Sequence, residues 1–93
     1  MAPKFRKKPV VIDAVKVSEV IEHAKNSDCI SQEPWIRKAI DENILSIGTA
    51  EIFVKTDEGL MRADYDDMII RGVKGELYPC KPDVFEKTYE SAE

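Results

Sequence analysis

Cys80 stands between Pro79 and Lys81, with Lys74 close by in the chain. Neighbouring ammonium groups favour the thiolate, the form of cysteine that attacks an electrophile. A nucleophilic cysteine also needs a base, and the single histidine is His23, far back in the sequence. A Cys80–His23 pair requires the helix that carries His23 to lie over the strand that carries Cys80. The plainer expectation for Cys80 is a small, half-buried packing residue at a strand end. Asp64, Asp66 and Asp67 form a second group. Converging carboxylates can hold Mg²⁺ or Ca²⁺, but the spacing here is not that of an EF-hand loop. Aspartates between two strands are also ordinary turn composition, so the expectation is no metal.

A third set is suited to binding rather than reaction. Arg62, Arg71 and Lys74 can hold phosphate oxygens, and Tyr65, Tyr78 and Tyr89 offer rings for stacking. Aromatic and arginine side chains on one sheet face suit a partner protein or a nucleotide-like ligand. Trp35 follows Pro34 and belongs with Ile36, Ala39 and Ile40, which reads as a core anchor or an interface edge. The candidate contact residues are therefore Trp35, Arg62, Asp67, Arg71, Lys74 and Tyr78, with Arg71 and Tyr78 ahead of the thiol. No glycine-rich phosphate loop, catalytic Ser-His-Asp set or Cys-x-x-Cys pair occurs, so no catalytic residue and no cofactor is expected.

The balance of the chain narrows the function classes. With 93 residues, 43 % apolar and 34 % charged, it suits one folded domain over residues 1–93, with a basic arm at 1–8. The net charge of −4 argues against nucleic acid and anionic membrane as partners, despite the basic "KFRKK" near the start. Two cysteines, Cys29 and Cys80, and one histidine do not make a disulfide framework or a four-ligand zinc site. No apolar run has the length of a signal peptide or of a membrane span, which predicts a cytoplasmic protein with free thiols.

The elements that must position these residues follow from pattern. "PVVIDAVKV" predicts a first strand with apolar residues on both faces, hence an interior strand beginning at Pro9. Ser18 is the expected cap of a helix with Val20, Ile21 and Ala24 on its apolar stripe, and "KNSD" the expected end. A second helix, capped by Ser31, carries Trp35, Ile36, Ala39 and Ile40 on one face. From Asn43 the period shifts to two: "ILSIG", "EIFVKT" and "LMRAD" are strands, with "DEG" a tight hairpin using Gly59. "DMIIRGVKGELYPC" predicts a second hairpin whose turn is framed by Gly72 and Gly75. Asp83 and Glu86 have capping-box spacing for a single helical turn, with Thr88 and Tyr89 in an edge strand after it. The sum is an α+β fold: two helices in the N-terminal half on a mostly antiparallel sheet of about five strands, with a C-terminal one-turn helix.

"FRKKPVVIDA", a tryptophan-bearing helix and "IIRGVKGELYPCKPDVFEKTYE" occur in that order. Together they resemble the small phage and prophage proteins grouped by a Pro-Gly-Asp-Tyr-Gly motif, over about Lys4 to Glu90. Where that motif is expected, this chain reads Tyr65-Asp66-Asp67-Met68 before Ile69-Ile70, so only Asp67 keeps the motif's acid. The resemblance implies phage origin and a compact domain, and it brings no catalytic residues. The function expected from it is a non-enzymatic binding protein made in a bacterial host's cytoplasm, which contacts a host or phage protein and acts as a counter-defence inhibitor. The alternative is a homo-oligomer that sequesters a nucleotide signal between subunits.

Overall fold

The computed structural model describes residues 11–26 and 33–89. Cys29, Ser31, Pro9 and the basic arm at 1–8 lie outside the described residues, as do Ser27 and Asp28 of the expected end of the first helix. The order of elements is β1 (Asp13–Lys16), α1 (Val17–Asn26), α2 (Pro34–Asp41), β2 (Leu45–Ile47), β3 (Glu51–Thr56), β4 (Gly59–Asp64), β5 (Met68–Arg71), β6 (Leu77–Cys80) and α3 (Pro82–Thr88). The α+β class holds. The described residues divide the strands between two three-stranded antiparallel sheets, in the orders β1-β5-β6 and β2-β3-β4, rather than one sheet of about five. A third helix of seven residues replaces the expected single turn.

β1 does return to the C-terminal hairpin, with Ala14 opposite Ile70 and Val15 opposite Ile69. It pairs with β5 alone among the described strands and so lies at a sheet edge, not in an interior. Val11, expected within it, precedes the strand and is 78 % exposed. Val17, expected as the last strand residue, begins α1 instead. Its N–H bonds the carbonyl of Asp67, and its side chain is fully buried. Ser18 is therefore inside the helix rather than its cap, and Ala24 is exposed while Val17, Val20 and Ile21 form the buried stripe.

α2 begins with Pro34 in its first turn and Glu33 as a cap that makes no side-chain bond. Its end is better specified. The N–H of Asn43 bonds the carbonyl of Ile40, and that of Ile44 bonds Ala39, the paired bonds of a Schellman motif. Asn43 takes the required left-handed conformation, φ +62°, which asparagine tolerates better than most residues. The turn then sends Ile44 into β2.

The core lies between the sheets and the first two helices. Leu45, Ile52, Val54 and Ala63 face it from β2–β4, Ile69 from β5, and Val20, Ile21, Ile36 and Ala39 from the helices. Burying side chains of this size stabilises the fold by about 1.5–3 kcal/mol each, before the entropy of ordering them. β6 lies against β3 and β4, which brings the two hairpins side by side. In the β5–β6 turn only Gly75 uses positive φ (+85°). Gly72 does not, and a Cβ there would displace only the flexible carboxylate end of Glu76. α3 starts with Pro82 after Lys81, so Asp83 sits in its first turn and caps nothing, and the helix continues through Thr88. Tyr89 is extended but joins no strand.

Candidate functional site

The acidic group is tied up internally. β4 runs into a turn in which the N–H of Asp67 bonds the carbonyl of Asp64 at 2.9 Å. In return Oδ2 of Asp67 accepts the N–H of Asp64 at 2.8 Å. Asp67 is only 3 % exposed, and a carboxylate so placed must be paired. The ammonium of Lys81, just after β6, meets it at 3.1 Å and also meets Asp64 at 3.1 Å. Arg62 Nε closes the group on Asp64 at 2.9 Å. The Lys81 hydrogen bond holds the Asp64 carboxyl below its usual range, and the two carboxylates, Asp67 first, hold the Lys81 ammonium above its own. Oxygen that would face a cation thus faces an ammonium. Among the described residues no three acidic, histidine or cysteine side chains are placed to hold a metal ion. Asp66 stands apart, on a cleft of about 390 Å³ with Met68 and Phe85.

Cys80 behaves as a packing residue. Burial, then the charges of Asp67 and Asp83, push its thiol pKa up, opposite to the effect expected of its lysine neighbours. Its Sγ donates to the adjoining carbonyl of Lys81, at 3.6 Å.

Trp35 and Arg71 do come together. The guanidinium of Arg71 lies over the indole, 5.8 Å from its centroid, and its Nη2 meets Asp13 at 3.3 Å. The indole N–H of Trp35 is buried without an acceptor among the described residues. This pair borders a small cleft of about 170 Å³ that reaches Gly75 and Leu77. Lys74 sits in the β5–β6 turn, where its backbone N–H bonds Glu76 at 3.1 Å. The three cations expected around phosphate are thus distributed: Arg62 on β4, Arg71 ending β5, Lys74 in the turn, with both arginines already paired to carboxylates. The tyrosines are distributed too. Tyr65 donates to Glu22 of α1 at 2.8 Å, whereas Tyr78 meets Tyr89 across α3 at 3.5 Å.

What sequence reasoning missed is the other end of β4. Thr56 opposes Gly59 across a two-residue loop, and the pairs run on to Glu51 opposite Asp64. In such a hairpin alternate residues direct their N–H and C=O away from the partner strand. The phase is fixed by Asp64, whose N–H and C=O both point outward to Asp67. Leu60 and Arg62 share that phase, so their N–H and C=O groups face outward from β4. β4 has no second neighbouring strand among the described residues. Leu60 is 70 % exposed beside an exposed Met61. Met61, Leu77, Ile44 and Tyr78 border a groove of about 460 Å³ between the two hairpins. The available signal was "LM": adjacent apolar residues in a strand put one of them on the wrong face. No family model, curated protein or solved structure matches this chain.

Proposed function

We propose that this chain is a non-enzymatic binding module that takes an extended segment of a partner protein as an added strand on the free edge of β4. The observation that carries the reading is the outward-facing backbone of Leu60 and Arg62 on a six-residue strand that has no second strand beside it among the described residues. Proteins ordinarily blunt such edges with proline, a bulge or a covering element, and strand addition is how an unblunted edge binds peptides. Leu60 and Met61 add apolar contact on the two faces of that edge. The sequence resemblance makes a host or phage protein the class of partner, and occupation of that protein's strand-forming segment is a direct way to inhibit a host defence.

The test replaces one donor. Arg62→Pro removes an outward N–H that no bond among the described residues uses, and Arg62→Ala removes only the side chain. Affinity capture from infected cells should recover a partner with the natural chain and with Arg62→Ala but not with Arg62→Pro. The purified partner should then slow hydrogen exchange at the Leu60 and Arg62 amides. A partner that ignores Arg62→Pro, or that leaves those amides exchanging freely, sinks the proposal.

A further inference from the structure

The groove beside the edge carries information about the incoming segment that the backbone alone does not. An added strand antiparallel to β4 must place its residues directly opposite those of β4, on the same face. The residue opposite Met61 then points to the inner side, into the groove floored by Met61, Leu77 and Ile44. Two residues later the segment reaches Gly59, which has no side chain to oppose it. Asp57 and Glu58, which precede Gly59 in the chain, border the groove, as do Glu76 and Lys55 among the described residues. Glu76 turns its carboxylate onto its own hairpin, beside Gly72, where it receives the N–H of Lys74. Asp57, Glu58 and Lys55 make no ion pair among the described residues.

We infer that the segment bound at β4 has the pattern apolar-x-basic: an apolar side chain opposite Met61, then a lysine or arginine opposite Gly59 whose cation meets the carboxylates of Asp57 and Glu58. This rests on the strand-addition reading above and gives it side-chain chemistry. A long basic side chain suits the site because its alkyl stem covers apolar surface while its head stays with the carboxylates. A second copy of this chain fits less well. In the register that joins Leu60 to Arg62 of the other copy, Ala63 rather than a cation faces Gly59. The same register sets Glu58 against Asp64, like charge against like.

The experiment is a titration of the isotope-labelled chain with three short peptides: Thr-Val-Thr-Val-Thr-Lys-Thr, the same with Glu for Lys, and the same with Ala for Lys. The lysine peptide should shift the Leu60, Met61 and Gly59 amides and slow exchange at Leu60 and Arg62. The alanine peptide should bind about tenfold more weakly and the glutamate peptide more weakly still, a tenfold change being about 1.4 kcal/mol. Asp57→Asn with Glu58→Gln, both exposed and outside the core, should erase the preference while the alanine peptide binds as before. Equal binding of all three peptides with protected edge amides overturns the basic-residue pattern and leaves strand addition standing. No protection of those amides by any peptide overturns both. Shifts at Leu60 and Arg62 that depend on protein concentration without peptide overturn the choice of occupant in favour of a second copy.

Discussion

The two ends of β4 differ in how completely their polar groups are used. At the Asp64 end, backbone N–H and C=O are both bonded to Asp67, and the two carboxylates share the ammonium of Lys81. At the Leu60 end, the outward backbone groups have no strand beside them among the described residues, and the side chain is exposed. The same strand is therefore structural at one end and available at the other. Charged residues are thus a poor guide to function here. The conspicuous acidic cluster serves the turn, while the open surface is carried by a leucine, a methionine and a stretch of main chain.

The largest expected effect is at the closed end. Asp67→Ala deprives the Asp64 N–H of its acceptor and Lys81 of its buried partner. Loss of stability should be about 2–3 kcal/mol by urea denaturation, the usual scale for orphaning buried hydrogen-bonding groups and losing a charged acceptor. Asp67→Asn keeps an acceptor oxygen and should lose about half as much. A change near zero for Asp67→Ala would mean that the turn does not depend on that carboxylate, and the contrast between the ends would fail.

At the open end the ordering should invert. Arg62→Pro should reduce partner binding by at least about tenfold, about 1.4 kcal/mol, while stability moves by no more than about 1 kcal/mol. A large destabilisation would show that the Arg62 N–H is already used within the chain, and the edge would no longer count as open.

Much of this was legible in the sequence because it rests on short-range physics. β3 follows from the alternation of Ile52 and Val54, and both hairpins follow from their glycines. The division into two sheets was not legible, since it depends on β6 settling against β3 and β4 across the core. α3 exceeded its expected turn with the support of one local ring contact and one tertiary contact. Phe85 and Tyr89 stack at 5.2 Å between centroids, and Tyr89 reaches Tyr78. The acids at 64–67 showed as a cluster, but the cation that neutralises them comes from Lys81, across the β5–β6 hairpin, and no local pattern announces it.

The Lys81 tie sharpens the comparison through pH. The folded-state pKa of Asp64 is lowered, chiefly by Lys81, so its contribution is present above the unfolded value near 3.8 and is lost as pH falls through the folded value. That of Lys81 is raised, so its contribution is complete below about 10.5 and is lost as pH rises through the folded value. Lys81→Met should lower stability most between about pH 4 and pH 10.5, where both contributions are present, and flatten the acid limb below that window and the alkaline limb above it. Unchanged limbs in a pH series of thermal melts would remove Lys81 from the closed end.

The smallest effect lies at the groove beside the open end. Tyr78 is pushed up to about 12, first by its hydrogen bond to Tyr89 and then by burial, so it keeps its proton where the unfolded tyrosine near 10 has lost it. This contribution is complete below about pH 10 and disappears as pH rises towards 12. Tyr89→Phe keeps the stacked ring on Phe85 but removes the hydroxyl, and the phenolate absorbance of Tyr78 should appear at lower pH. Stability at neutral pH should fall by no more than about 1 kcal/mol, the scale of one neutral hydrogen bond, and this loss should disappear as pH rises towards 12. If the titration of Tyr78 is unchanged, burial alone sets its pKa. The wall of the groove is then held by ring packing of α3, and a bound segment meets a tyrosine hydroxyl that is free to pair with it.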